Sequence, residues 1–411
     1  MSLAAPGFRP RKAALAFIFV TVVLDMLALG IVIPVLPGLI EDFLHGDTAK
    51  AAEVNGLFST VWALMQFFSM PVMGALSDRY GRRAVILLSN VGLGLDYVLM
   101  ALAPSLVWLF VGRIISGICA ASISTAMAYI ADVTPVEKRA GSYGLVGMAF
   151  GVGFIFGPAF GGLLGNVDPR LPFWAAAGLS LANAAYGWLV LPESLAPENR
   201  RPFAWRRANP IGSLKLLRSH PELAGLASAA FLSNVAHAAI PVTFVLYAAH
   251  RFGWNAGAIG LSLAVVGASS AVVQGFLVGP LVRRIGERRA MLAGLLAGAT
   301  GYFIYAFAPT GTWFLFGIPV VALWGLAGPS GQSLMTRRVA ADEQGALQGA
   351  NGSIQGFATM IGPLLFAATF AWAIGSGARF GLPGAAYLLA GVMLLSAAAL
   401  AARATRPRLE S

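Results

Sequence analysis

The chain has 411 residues, of which 58% are hydrophobic and only 11% charged, with a mean hydropathy of +0.76. A soluble domain carries about a quarter of its residues as charges, so the surface of a water-soluble globule could not be covered here and the apolar excess must face lipid. The formal charge of +11 does not point to a nucleic-acid partner, because the basic residues are dispersed over short loops rather than gathered on one face or tail.

A helix needs about 20 mostly apolar residues to cross roughly 30 Å of hydrocarbon, and windows of that length recur along the whole sequence. The first runs over 12–38. It follows Arg9-Pro10-Arg11-Lys12 in the manner of a signal peptide, but it continues past Pro37 and contains Asp25, so it is expected to be retained as a span. Spans follow at 54–76, 84–103, 106–132, 141–165 and 171–191, completing an N-terminal half over 1–191. A polar segment, 192–222, is expected to be a central loop. Six further spans, at 223–249, 256–281, 288–308, 312–336, 345–374 and 381–402, make a C-terminal half over 223–411. The single cysteine, Cys119, lies in an apolar stretch, forms no intrachain disulfide and is read as packing.

Lys and Arg set the orientation, because basic loops resist translocation. The N-terminus, the loops at 77–83, 133–140, 192–222, 282–289 and 337–344, and the C-terminus hold 23 of the 28 basic residues. Lys50, Arg170, Arg251 and Arg379 fall on the other side, and Arg113 falls inside a span. Both termini are therefore expected in the cytoplasm and the span count to be even, which twelve satisfies.

Set against itself, the sequence matches at a constant offset of 205 residues in three places. The loop Gly74 to Arg83 lies over Gly279 to Arg288; Tyr97 to Pro104 lies over Tyr302 to Pro309; and Gly144, Gly147, Gly151, Gly157 and Pro158 lie over Gly349, Gly352, Gly356, Gly362 and Pro363. An offset of half the chain means a duplicated six-span unit. Because six is even, both copies enter the membrane in the same sense, giving parallel repeats about an axis along the membrane normal with substrate between them near the midplane.

Three motifs then carry a resemblance over essentially the whole chain. Gly74-Ala-Leu-Ser-Asp-Arg-Tyr-Gly-Arg-Arg83, Gly112-Arg113 with Gly117, and Gly153-Phe-Ile-Phe-Gly-Pro-Ala-Phe-Gly-Gly162 are similar to the loop signature, the second motif and the antiporter signature of the major facilitator superfamily. Leu24-Asp25 with Pro34-Val35-Leu36-Pro37, and Leu95-Asp96-Tyr97, resemble its drug–proton antiporters, the tetracycline-resistance branch above all. The resemblance implies an all-α major facilitator fold with 12 transmembrane helices, and a proton-coupled exporter of a small lipophilic compound in a bacterial inner membrane. A symporter or facilitator for a metabolite, and a non-transporting sensor, are the other functions this fold would serve.

The same residues have physical readings of their own. Gly74 and Gly81 permit a tight turn, and Asp78 can pair with Arg79, Arg82 and Arg83, with Asp132 as a further partner, forming a gating latch. Gly153, Gly157, Gly161 and Gly162 allow close helix approach, and Pro158 a bend. Charges inside a membrane cost roughly 3 kcal/mol or more, so they mark function or pairing. Asp25 and Asp96 lie about 12 or 13 residues into their spans and are expected at one depth, with Arg113 near the level of Asp96. A carboxylate in a poorly hydrated cavity prefers its neutral form and a nearby arginine favours ionisation, a competition that would couple proton to substrate. Gln66, His237 and Gln332 are further expected lining residues, beside Asn90, Asn234, Gln274 and Gln355, any of which could instead bridge helices.

One departure stands out. The tetracycline branch carries a third membrane aspartate before a Gly-Thr-Gly-Tyr segment, whereas this chain has Gly298 before Ala299-Thr300-Gly301-Tyr302. A neutral or cationic lipophilic compound, or a physiological solute, is thus as compatible as the metal-chelated drug. The spacing of His, Cys and acidic residues gives no zinc site, nucleophile or phosphate loop. The expectation is a monomer with no metal or cofactor beyond the coupling proton, no nucleic-acid partner and no enzymatic activity.

Overall fold

The structure is a computed structural model that describes residues 12–120, 122–135, 139–200, 221–339 and 343–405. The N-terminal basic run, most of the central loop and the C-terminal tail lie outside the described residues. Everything regular among them is helix. Span 1 is Lys12–Val32 continued as Leu36–Phe43, span 2 Thr48–Tyr80, span 3 Arg82–Ala101, span 4 Leu106–Ala120 with Ser122–Val133, span 5 Arg139–Gly165 and span 6 Leu171–Val190. Span 7 is Pro221–His237 with Ala239–Phe252, span 8 Ala256–Val272 and Val278–Ile285 around a π turn at Val273–Leu277, and span 9 Glu287–Phe307. Span 10 is Gly311–Ala322 and Ala327–Thr336 around a 3-10 turn at Leu323–Leu326, span 11 Gln344–Ile374 and span 12 Ala385–Ala404.

Eleven of these stretches are long and apolar enough to cross a membrane. Span 6 is not among the eleven, although its 20 residues have sufficient length. Pro172, Ser180, Asn183 and two tryptophans lower its hydropathy, and its buried residues face the rest of the half rather than lipid. The interior is small-residue packing in the manner of membrane bundles. The two halves repeat their pairings: span 1 packs on 5 as 7 packs on 11, 3 on 6 as 9 on 12, and 2 on 4 as 8 on 10.

The repeat is also visible in the backbone. Span 2 passes to span 3 through Gly81 at φ +104°, and span 8 to span 9 through Gly286 at φ +81°. These glycines sit 205 residues apart and each takes a left-handed conformation that a β-carbon disfavours. Gly74, expected in that turn, instead lies inside the span 2 helix, because the turn needs only one residue.

Between halves, span 2 packs on span 11 and span 5 on span 8. Toward the face opposite the basic loops, Gly56 lies against Ala367 and Pro363, Gly162 against Ala256 and Gly260, and Gly267 against Phe154 and Ile155. Asn55 donates to the Val242 carbonyl at 2.9 Å and the Gly257 amide to Asn166 Oδ1 at 2.9 Å, both across the halves. Toward the basic-loop face the halves part. Gly74, Gly147, Gly151, Gly275, Gly279 and Gly352 have nothing within 4 Å of where a side chain would begin. Several continue the packed faces, Gly74 two turns beyond Phe67 and Gly275 two turns beyond Gly267. The bundle is closed on one side and open toward its basic loops.

Candidate functional site

Span 1 brings Asp25 into the N-terminal half beside two carboxamides. Asn183 of span 6 donates from Nδ2 to Asp25 Oδ1 at 2.8 Å and to the Thr21 carbonyl at 2.9 Å. Asn90 of span 3, with its amide turned so that nitrogen faces the carboxylate, donates to Oδ1 at 2.9 Å and Oδ2 at 3.3 Å and accepts from Asn183 at 3.1 Å. That orientation satisfies both ends of the Asn90 amide, while Asn183 Oδ1 has no hydrogen-bond partner among the described residues. Asn90 and Asn183 are fully buried, while Asp25 is half-buried. Asn90 was one of several polar residues visible in the sequence; Asn183 was missed there, because a single asparagine among alanines forms no motif.

Asp96 is differently placed. It is buried, and neither carboxylate oxygen has a hydrogen-bond partner among the described residues. Span 4 presents Gly112 to it, where a β-carbon would stand 3.0 Å from Oδ1. Arg113, one residue on, sends its Nη2 to Met100 Sδ at 3.2 Å, and its Nε has no partner. The pairing of Asp96 with Arg113 that depth alone suggested is therefore not closed: both are buried, with no ion pair between them among the described residues. Asp25 and Asp96 also do not act at one level. The partner that Asp25 takes on span 3 is Asn90, six residues or about 9 Å of helix axis toward the basic loops from Asp96.

The loop cluster centres on Arg82. Its guanidinium reaches Asp78 at 2.6 Å, Asp132 at 3.2 Å and Ser77 Oγ at 2.5 Å, and Ser77 in turn donates to the Gly74 carbonyl at 2.8 Å. The segment after span 6 completes it. Glu193 Oε1 accepts from the Arg82 amide at 2.9 Å, and Ser194 donates to Asp132 at 3.0 Å. The other expected arginines are elsewhere. Arg83 donates to the Trp188 carbonyl at the end of span 6, and Arg79 lies over the Tyr80 ring at 5.1 Å. In the second repeat the positions 205 residues on carry the pair with its charges reversed: Glu287, under Arg82, bonds to Arg337, under Asp132.

The glycines of span 5 divide between two neighbours. Gly153, Gly157 and Gly161 lie against Met26, Gly30 and Ile31 of span 1, whereas Gly162 and Pro158 meet Gly260 of span 8 in the other half. One side of the motif holds the half together and the other forms the seam.

In the second half His237 ends the first helix of span 7 and faces Trp324 of the 3-10 turn, rings 5.5 Å apart, with Trp324 Nε1 donating to Ser233 at 3.0 Å. His237 is exposed although it lies deep in the bundle, which is the condition of a cavity-lining residue. Gln332 accepts from Asn351 at 2.6 Å and thus bridges spans 10 and 11. Gln66 is half-buried in span 2 and makes no hydrogen bond among the described residues. Gly298 packs on Trp324 and Leu394. No group of three or more His, Cys, Asp or Glu among the described residues could hold a metal ion.

The family model described as Major Facilitator Superfamily matches residues 18–363 and 226–411. The chain is 42% identical to the class C tetracycline resistance protein of Escherichia coli, over 87% of this chain and 90% of that one. To the class G protein of Vibrio anguillarum it is 37% identical, over 86% and 89%. Among solved structures it resembles the human organic anion transporter MFSD10, with TM-score 0.69 and 23% identity over 95% of this chain and 99% of that one. It likewise resembles the nucleoside transporter NupG, with TM-score 0.78 and 13% identity over 96% and 100%.

Proposed function

The chain belongs to the major facilitator superfamily and is a multi-pass membrane transporter, and on that premise we propose that it is a proton-coupled antiporter exporting a small lipophilic compound, tetracycline-like or another drug, across a bacterial inner membrane with both termini in the cytoplasm. The observation that carries this reading is the presence of two carboxyl groups inside one half of the bundle, one held by amides and one without a donor. Buried Asp96 is a group for which a proton or a cationic or donor-bearing cargo compete, since an uncompensated charge in that setting is costly. Competition of this kind makes release of one ligand depend on arrival of the other. The similarity to tetracycline resistance proteins supports export as the direction. The opening toward the basic loops supports a form that loads from the cytoplasm.

The test is transport in proteoliposomes of known orientation, with tetracycline among the compounds tried and identified by a susceptibility screen in a pump-deficient strain. A proton gradient directed inward should drive the compound out of the cytoplasm-equivalent side, and Asp25→Asn and Asp96→Asn should each abolish that coupling while remaining in the membrane. Substrate and proton moving in the same direction would establish a symporter instead, and undiminished coupling in both variants would remove the two aspartates from the mechanism.

A further inference from the structure

We infer that Asn183, acting with Asn90, is a positioning residue for Asp25: a pair of carboxamides that clamps the carboxylate of span 1 to spans 3 and 6, so that arrival of a proton is converted into a change of packing among three helices. The inference rests on the antiport reading above and adds to it the group through which the proton is felt. Span 6 buries Ala176, Ala177, Ser180, Ala184 and Gly187 around Asn183. In so small-sided a helix a fully buried carboxamide is out of place unless its amide is used. Its Nδ2 contacts the carboxylate of Asp25 and, one turn earlier, the carbonyl of Thr21, so it fixes both the side chain and the rotational register of the same turn. Asn90 closes the triangle by donating to the carboxylate, with its own oxygen 3.1 Å from Asn183 Nδ2, which can share an N–H with it.

The chemistry of the partners selects the ligand. Both amides turn N–H groups toward the carboxylate, occupying with positive dipole ends the positions a metal ion would take, so a proton is the cation this cradle admits. N–H donors compensate a carboxylate's charge without a neighbouring arginine, and no arginine bonds to Asp25 among the described residues. When a proton binds an oxygen that accepts from Asn90, that acceptor becomes a donor facing N–H, and the contact between spans 1 and 3 must rearrange. No covalent bond other than the new O–H forms. Asp96, lacking amide partners, has no such link to span 6, which leaves it to the cargo side of the competition.

Asn183→Leu removes the donors while keeping the number and branching of side-chain heavy atoms. In proteoliposomes the ratio of proton-driven transport to equal-pH exchange should fall by about tenfold or more, the scale of one lost hydrogen bond to a charged group, and Asn183→Gln should restore part of it. A ratio equal to that of the unsubstituted protein, whether both rates hold or both fall together, overturns the inference and leaves a structural bridge. Should Asn183→Leu fail to reach the membrane, Asn90→Leu carries the same reading. An infrared difference spectrum between acid and alkaline pH needs no substrate. The carboxyl band lost in Asp25→Asn should move in Asn183→Leu, and an unmoved band overturns the clamp. A moved band in a protein without proton-driven transport would count against antiport alone.

Discussion

The guanidinium of Arg82 closes on Asp132 with Nε 3.2 Å from Oδ2, tying the turn between spans 2 and 3 to the end of span 4. The same guanidinium reaches Asp78, across the Gly81 turn in the last turn of span 2. The two carboxylates are unequal, since Asp78 is 41% exposed and Asp132 24%. Breaking a largely buried charge network costs about 3 kcal/mol, whereas an exposed ion pair contributes about 0.5 kcal/mol. Arg82→Ala should therefore lower the thermal unfolding temperature in detergent much more than Asp78→Ala. Lysine, with a single ammonium, should not substitute for the fork. Equal losses in the two alanine variants would show that Arg82 acts only through Asp78.

Span 5 offers a contrast within one motif. A β-carbon on Gly30 would stand 2.9 Å from the Gly157 Cα, while Gly147 and Gly151 have open space. Gly157→Val or Gly30→Val should cost about 1–3 kcal/mol by overpacking, read as lower yield of folded protein. Gly151→Ala should be folded as well as the unsubstituted chain. If its transport nevertheless slows, the open face of Gly151 is one that must close during the cycle.

The seam on the side opposite the basic loops carries the Asn55 and Asn166 bonds between halves. Each is worth about 1 kcal/mol, or several-fold in a two-state equilibrium. Asn55→Leu with Asn166→Leu should shift distances between spin labels on that face toward longer values. An unchanged distribution would mean that the glycine contacts alone keep the seam shut.

Gly298 tests the cargo. A carboxylate there would meet the Trp324 ring atom Cγ, since even a β-carbon would approach it to 2.9 Å. Gly298→Asp should destabilise the protein and gain no tetracycline transport, because Leu394 Cδ1 and Trp324 Cβ crowd the same position at 2.8 and 3.0 Å. Tetracycline export by Gly298→Asp alone would show that the indole yields freely.

Much of the fold was legible in residues. A helix rises 1.5 Å per residue, which makes apolar length a direct measure of membrane crossing, so twelve spans are read from hydropathy, eleven of them helices long and apolar enough to cross, and a fixed offset of 205 residues places Gly286 under Gly81 before any backbone is seen. The site was less legible. Arg82 was visible as one of several arginines, but nothing in its neighbours chose it over Arg79 or Arg83. Glu193 and Ser194 read as part of a polar loop. Which side chain completes a network depends on the rotation of each helix, and a linear pattern does not state rotation to within one residue.

The sequence by itself determined that the chain crosses a membrane repeatedly, that its halves are copies and that its intramembrane acids lie in the first copy alone, because composition, offset and identity are properties of the string. Tertiary structure decided the rest. It set Asp25 against Asn183, 158 residues away, left Asp96 facing Gly112 with no hydrogen-bond partner while the next residue, Arg113, turned to Met100, and split the span 5 glycines between their own half and the other. The physical reason is that hydrogen bonds act over about 3 Å, and only packing of helices distant in sequence decides which polar groups come within that reach.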